Sequence, residues 1–233
     1  MPLYLLPNTF EDDQPINLLL PIGLKEIVLS LDGLIAESER AGRRYLLKVT
    51  EKDPKARETP IFLLNEHTKD VSEPVGRIVR GETIGLISDA GMPGIADPGA
   101  EVVSALRERG MHDIRAISGP SAIFLALILS GLGGQRFCFQ GYLPKDPSSR
   151  KKLLCQLERD SKQSKMTQIC IEAPYRNKAF FADCISVFSS TTQLAIAQRL
   201  TLPGERVEVK TIGEWRRCKV SFTKDPMTFV FRA

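Results

Sequence analysis

Short apolar runs alternate with amphipathic stretches through the first half of the chain. Residues 3–6, 34–36, 61–64, 83–88 and 114–117 read as strands, apolar on both faces as buried parallel strands are. Helical patterns lie between them. Thr68 can cap a helix carrying Val71, Val75, Ile78 and Val79 on one stripe, which Gly81 then ends. A second helix, over 98–110, carries Val102, Val103 and Leu106. Strand alternating with helix predicts a mostly parallel sheet. After Gly119-Pro120, Ser121 can cap an apolar helix from Ala122 to Leu129, ended by Gly131. That helix is apolar all round, so it is expected to be buried.

The second half changes character. Strands are expected at 137–141, 166–172, 193–198, 206–210, 219–222 and 227–231, with helices at about 148–161 and 174–188. The late strands follow one another without helices, which predicts a mixed, partly antiparallel sheet. The shift in pattern and the Ser118-Gly119-Pro120 turn put a domain boundary there, giving an N-terminal α/β domain over 1–117 and a C-terminal α/β domain over 118–233. A cleft between two such domains is a favoured ligand site.

Charge sharpens this division. The 233 residues carry a formal net charge of +4, but residues 1–117 balance at −5 and residues 118–233 at +9. A basic half points to a polyanionic partner. Its candidate contacts are Arg150, Lys151 and Lys152, then Arg216 and Arg217, with Arg176 and Arg199 as single arginines; short basic runs also occur as plain solvated faces. The five cysteines have no C-x-x-C spacing and read as reduced thiols of a cytoplasmic protein; with two histidines, no metal site is expected. No membrane partner is expected, since the longest apolar run, Ala122 to Leu129, falls far short of the ~20 residues a bilayer needs. Met1-Pro2-Leu3-Tyr4 leads into a strand without a basic segment, so no signal peptide is expected.

The densest chemistry follows the strand at 83–88. Ser88-Asp89-Ala90-Gly91-Met92-Pro93-Gly94-Ile95-Ala96-Asp97-Pro98-Gly99 packs glycines, prolines and two carboxylates into one turn at a strand's carboxyl end. Ligands of parallel α/β domains sit there, and glycines let them approach the backbone. Asp89 reads as a ligand contact. Asp97 can equally initiate the turn and face the following helix N-terminus.

This loop resembles the signature of the tetrapyrrole methylase superfamily, and within it the ribosomal small-subunit RNA cytidine 2′-O-methyltransferases. The likeness continues, in order, at Leu34-Ile35-Ala36-Glu37-Ser38-Glu39-Arg40, Asn65-Glu66-His67, Ser118-Gly119-Pro120-Ser121-Ala122, the run from Arg136 to Pro144, Glu172-Ala173-Pro174-Tyr175-Arg176 and Arg199-Leu200-Thr201. The resemblance implies a two-domain, class III S-adenosylmethionine methyltransferase, with a parallel-sheet N-terminal domain, a mixed-sheet C-terminal domain, the cofactor in the cleft, and a homodimer. It implies cofactor contacts at Asp89, Gly91, Met92, Ser121, Ala122, Glu172 and Ala173. For a ribose hydroxyl acceptor, the candidate proton-handling and orienting groups are Glu66, His67, Glu37 and Arg40. The implied acceptor is small-subunit ribosomal RNA; a small tetrapyrrole precursor, or binding without catalysis, are the alternative readings. The chain departs from the family in its first loop, where Leu6-Pro7-Asn8-Thr9-Phe10 replaces a Thr-Pro-Ile-Gly-Asn turn, and at Met92, Gly94 and Tyr175, where Thr, Leu and His are usual.

Overall fold

The computed structural model describes residues 2–222 and 224–233. The chain divides into two compact units, Met1–Ser121 and Ala122–Ala233.

Unit 1 runs β1 (Leu3–Leu5), α1 (Ile16–Leu19), α2 (Leu24–Leu29), β2 (Gly33–Ala36), α3 (Glu39–Val49), α4 (Lys55–Glu58), β3 (Ile61–Leu63), α5 (Ser72–Val79), β4 (Ile84–Leu86), α6 (Gly99–Glu108) and β5 (Ile114–Ala116). Its sheet has the order β3-β2-β4-β1-β5, with every pair parallel. The strands are apolar on both faces because both faces are covered. In β2, Leu34 and Ala36 join Leu24, Val28, Tyr45, Leu46 and Val49 on one side of the sheet. Ile35, one residue out of phase, joins Val75, Ile78, Val102 and Leu106 on the other. Parallel pairing brings every strand's carboxyl end to one edge, so the loops after β1, β2, β3, β4 and β5 gather there.

Unit 2 runs α7 (Ala122–Ser130), β6 (Phe137–Phe139), α8 (Pro147–Ser164), β7 (Thr167–Glu172), a 3-10 turn (Pro174–Arg176), α9 (Asn177–Val187), β8 (Gln193–Gln198), β9 (Arg206–Thr211), α10 (Ile212–Trp215) and β10 (Met227–Arg232). Its sheet has the order β6-β7-β10-β8-β9 and is mixed: β6 and β7 pair in parallel, the rest antiparallel. The core centres on Phe180 against Phe229, ring centroids 4.5 Å apart, and Phe188 against Phe231 at 4.7 Å. The parallel-then-mixed α/β architecture is the one expected.

Four local expectations change. The Ser118-Gly119-Pro120 turn belongs to unit 1: a Cβ on Gly119 would lie 2.0 Å from that of Pro7, so the turn is packed directly on the loop after β1. The helix expected from Thr68 starts at Ser72, because Thr68 is used in a turn in which its N–H donates to the Asn65 side chain and its carbonyl accepts from the Asn65 N–H. Residues 219–222 form no strand; Val220 and Phe222 instead pack on the unit 2 core, with Phe222 against Phe181 at 5.5 Å. In α7, Ile123, Ala126 and Leu127 are buried, but Phe124, Ile128 and Leu129 are exposed, Ile128 to 72%.

Candidate functional site

The carboxyl edge of unit 1 carries two connected groups of side chains. The first joins the loops after β1, β4 and β5. Asn8, three residues beyond β1, donates from its side-chain amide to the carbonyls of Ser88 and Asp89 at 3.0 and 3.1 Å. Its backbone N–H donates to the Gly91 carbonyl at 2.8 Å. Gly91 has φ +75°, and a Cβ there would sit 3.2 Å from both the Phe10 ring and the Pro120 carbonyl oxygen. This position therefore needs glycine twice over, for its dihedral and for its neighbours. Asp89, Gly91 and Met92 thus share one edge with the Pro120-Ser121 turn. Ala122 is the first residue of α7.

The two loop carboxylates have different work. Both Asp97 oxygens accept from the Gly94 N–H, at 2.9 and 3.0 Å, and one also accepts from the Gly99 N–H at 2.7 Å. Asp97 is the clasp of the loop, which explains a carboxylate three residues after one glycine and two before another. The Asp89 side chain is exposed and takes no part in that clasp.

The second group lies after β2 and β3. Asn65 donates to the Glu37 carbonyl at 2.9 Å while its own side-chain oxygen accepts from the His67 and Thr68 N–H groups. Glu66 and His67 are exposed on the turn so formed, and Arg40 is exposed in the first turn of α3. Glu37 connects the groups, since its Oε1 accepts from the Asp89 N–H at 3.1 Å. Burial pushes the Glu37 carboxyl up from its usual range, the Asp89 N–H bond pulls against this, and the charges of Asp89, Asp97 and Glu66 add to the rise. Glu37 also lines a small pocket with Ile35, Ala36, Leu64, Leu86, Ile87, Asp97, Pro98 and Gly99.

In unit 2, Glu172 ends β7 with its side chain buried, and Ala173 follows. Glu172 Oε1 accepts from the Ala173 N–H at 2.9 Å, and Arg176 lies 3.0 Å from Oε2 without the alignment of a hydrogen bond. Burial raises this carboxyl, against the Ala173 N–H and the guanidinium charges of Arg176 and Arg150.

The basic residues separate sharply. Arg150, expected on the RNA-contacting surface, is instead 4% exposed. Its guanidinium pairs with Asp183 at 2.6 Å and donates to the carbonyls of Pro144 and Lys145. Arg176 donates to the carbonyls of Leu143 and Pro144. Arg199 holds Asp225 at 3.3 Å and the Pro203 carbonyl at 2.9 Å. Arg216 donates to the carbonyls of Ile185 and Phe188, at the end of α9. Each of these arginines fastens a loop or a helix end. Lys152 and Arg217 remain exposed, and Lys151 is exposed too while its Nζ lies 3.4 Å from Asp183 Oδ1. Among the described residues, no helix is long and apolar enough to cross a membrane, and no group of three or more His, Cys, Asp or Glu could hold a metal ion.

Asn8 and Phe10 were absent from the sequence-based site. Asn8 had a signal, an amide side chain in the turn that follows a parallel strand, after a proline; Phe10 had none, since its ring matters only through Gly91.

Chains of known function carry the same sequence pattern. Over 146 residues the chain is 36% identical to ribosomal RNA small subunit methyltransferase I of Xylella fastidiosa, a match covering 62% of this chain and 52% of that one. It is 37% identical over 145 residues to the protein of that name from Synechocystis sp., covering 61% of this chain and 50% of that one. The chain thus spans about half the length of these curated relatives. Among solved structures, the uroporphyrin-III-C-methyltransferase from Thermus thermophilus superposes with a TM-score of 0.57 at 15% identity, covering 98% of this chain and 93% of that one. Diphthine synthase superposes with a TM-score of 0.62 at 14% identity, covering 100% and 89%. These two share the fold. The family model of the Tetrapyrrole (Corrin/Porphyrin) Methylases matches residues 26–215, most of the chain and every segment of the unit 1 edge from Glu37 to Ser121, so the chain belongs to that family.

Proposed function

We propose that this protein transfers a methyl group from S-adenosylmethionine to a ribose 2′-hydroxyl of small-subunit ribosomal RNA. The observation that carries the reading is the edge of unit 1, where Asn8, Gly91 and Pro120 lock three strand-end loops together and leave Asp89 free beside them. Two curated relatives named as ribosomal RNA methyltransferases, at 36% and 37% identity, support RNA over a small tetrapyrrole precursor as acceptor.

The residues present suit the cofactor. Gly91 is buried and lacks the Cβ that would press on its neighbours, and the half-buried Met92 follows it on the same edge. The Asp89 carboxylate can accept from ribose hydroxyls or pair with an ammonium group. Ser121 and Ala122 offer a hydroxyl and backbone N–H at the start of α7, and Glu172 and Ala173 are the contacts proposed from unit 2. The bound cofactor supplies an electrophilic methyl on a sulfonium.

What the chain must add is position and a proton acceptor. Holding the acceptor oxygen in line contributes about 7–11 kcal/mol to lowering the barrier. Glu37 is the proposed acceptor of the hydroxyl proton, because burial raises its carboxyl toward the working pH and one oxygen is already oriented by the Asp89 N–H. Glu66 and His67 flank it on the Asn65-pinned turn, and Arg40 is available for a phosphate. Lys151, Lys152 and Arg217 are the proposed phosphate contacts in unit 2. The proposed setting is cytoplasmic, in a homodimer whose second copy covers the apolar face of Phe124, Ile128 and Leu129.

The test is methyl transfer from labelled S-adenosylmethionine to small ribosomal subunits, free ribosomal RNA and a small-molecule extract, run in parallel. Label in RNA, released as a 2′-O-methyl nucleoside, is the expected result. Label confined to the extract would move the assignment to a small molecule. Alanine at Lys151 and Lys152 should lower the salt slope of RNA binding by about two units on a duplex.

A further inference from the structure

Two tyrosines in unit 2 are largely exposed. Tyr142 is 60% exposed and Tyr175 is 80% exposed. Among the described residues, neither ring packs on another aromatic ring. Large exposed rings call for explanation more than scattered small apolar groups do.

They occupy neighbouring places. β6 and β7 are parallel, with Phe139 opposite Ile169, and the ladder continues through the Ile171 N–H to the Gly141 carbonyl at 3.1 Å. This register puts Tyr142 beside Glu172, one short turn before Tyr175. The Tyr142 phenol responds to both: burial raises it first, and the nearby Glu172 and Tyr175 raise it further.

The loop bearing Tyr142 is held firmly. Arg176 donates to the Leu143 and Pro144 carbonyls at 2.9 and 3.1 Å, and Arg150 to those of Pro144 and Lys145 at 3.2 and 3.0 Å. Both guanidiniums are themselves anchored on buried carboxylates, Glu172 and Asp183. Four hydrogen bonds from two fixed cations pre-organise a loop whose projecting side chains, Tyr142 and Lys145, make no side-chain hydrogen bond, ion pair or ring contact among the described residues. On the same loop, and at the starts of the two helices α8 and α9 that flank it in sequence, Lys145, Lys151, Lys152 and Lys178 are exposed, Lys151 lying 3.4 Å from Asp183. The one acid in the loop, Asp146, is spent on the N-terminus of α8, accepting from the Ser149 N–H at 2.7 Å.

We propose that Tyr142 and Tyr175 are a stacking platform for unpaired bases of single-stranded RNA, with Lys145, Lys151, Lys152 and Lys178 following its phosphates. Unpaired bases expose the faces that aromatic side chains take, whereas a duplex hides them. Arg150 and Arg176 then serve RNA indirectly, as positioning residues that hold the platform. This inference rests on the RNA reading above and narrows it to an acceptor segment presented as single strand.

The test uses the whole chain and a short single-stranded oligoribonucleotide carrying 2-aminopurine, whose fluorescence falls when it stacks. The wild type is expected to quench the probe and to bind it about tenfold tighter than a duplex of the same sequence. Tyr142→Ala and Tyr175→Ala are each expected to weaken binding about fivefold or more and to relieve quenching, while Tyr142→Phe and Tyr175→Phe stay within about twofold of wild type. Cofactor affinity should be unchanged in all four. If wild type binds RNA and the alanine variants bind as tightly, the platform is refuted and the RNA reading survives. If wild type binds no RNA, both fail. If the alanine variants lose cofactor affinity and keep RNA affinity, the rings belong to the cofactor and the proposal is overturned.

Discussion

Gly91→Ala tests the unit 1 edge most directly. Two separate costs meet at this position. The backbone has φ +75°, where an L-residue costs roughly 1–2 kcal/mol more than glycine. The added Cβ would then lie 3.2 Å from the Phe10 ring and 3.2 Å from the Pro120 carbonyl oxygen. The ring can give a little, but the carbonyl belongs to a turn packed against Pro7 and cannot. Crowding of this kind adds about 1–3 kcal/mol. Gly94 provides the internal control: it has φ +87° with nothing within 4 Å of an added methyl, so Gly94→Ala carries the dihedral cost alone. Urea unfolding followed by far-UV circular dichroism should therefore show Gly91→Ala losing about 2–5 kcal/mol and Gly94→Ala about 1–2. Calorimetry should show cofactor binding weakened in Gly91→Ala and nearly preserved in Gly94→Ala. Adding Phe10→Ala to Gly91→Ala should recover the ring part of the crowding, a coupling of at least about 0.5 kcal/mol. Equal losses at Gly91 and Gly94, with no coupling to Phe10, would refute the close approach of the three loops.

Arg150→Ala should cost somewhat less than the about 3–5 kcal/mol of a fully orphaned buried carboxylate, because Asp183 keeps the half-exposed Lys151 at 3.4 Å, and Arg150→Met with Asp183→Leu should recover most of the loss, read as urea midpoints. Glu37→Gln keeps the acceptor for the Asp89 N–H and removes a carboxyl whose folded pKa is raised. A raised carboxyl loses stability as pH climbs from the ordinary carboxylate range through its folded value, so the variant should be more stable at neutral pH by less than about 1 kcal/mol and equal to wild type in acid; a variant less stable at every pH would contradict this. The same variant should lower the methyl-transfer rate by about 10²–10⁴-fold if Glu37 takes the proton, with cofactor affinity little changed. Ile128→Glu should halve the mass measured by light scattering at micromolar concentration, and a mass that stays at the dimer value would clear α7 of the interface.

Much of this architecture was legible one residue at a time. A parallel strand covered on both sides must be apolar throughout, so β2 and β4 announce themselves. The loop from Ser88 to Gly99 was equally legible, because glycine, proline and aspartate report local dihedrals and local hydrogen bonds, and Asp97 closes its clasp within three residues. Other features depend on distant partners. Residues 219–222 alternate like a strand, yet their apolar side chains are satisfied by the helix and core they meet, not by a ladder. Arg150-Lys151-Lys152 reads as one basic surface, but consecutive residues on α8 point in different directions, and Asp183, 33 positions away, is what takes Arg150 inside. Phe10 and Pro120 became part of the Gly91 environment only when parallel pairing brought their strand ends to one edge. Periodicity and dihedral preference are properties of neighbours along the chain, so the sequence by itself determined the elements and the turns; which charges are spent on holding the fold, and which are left for a partner, was decided by packing between elements far apart in sequence.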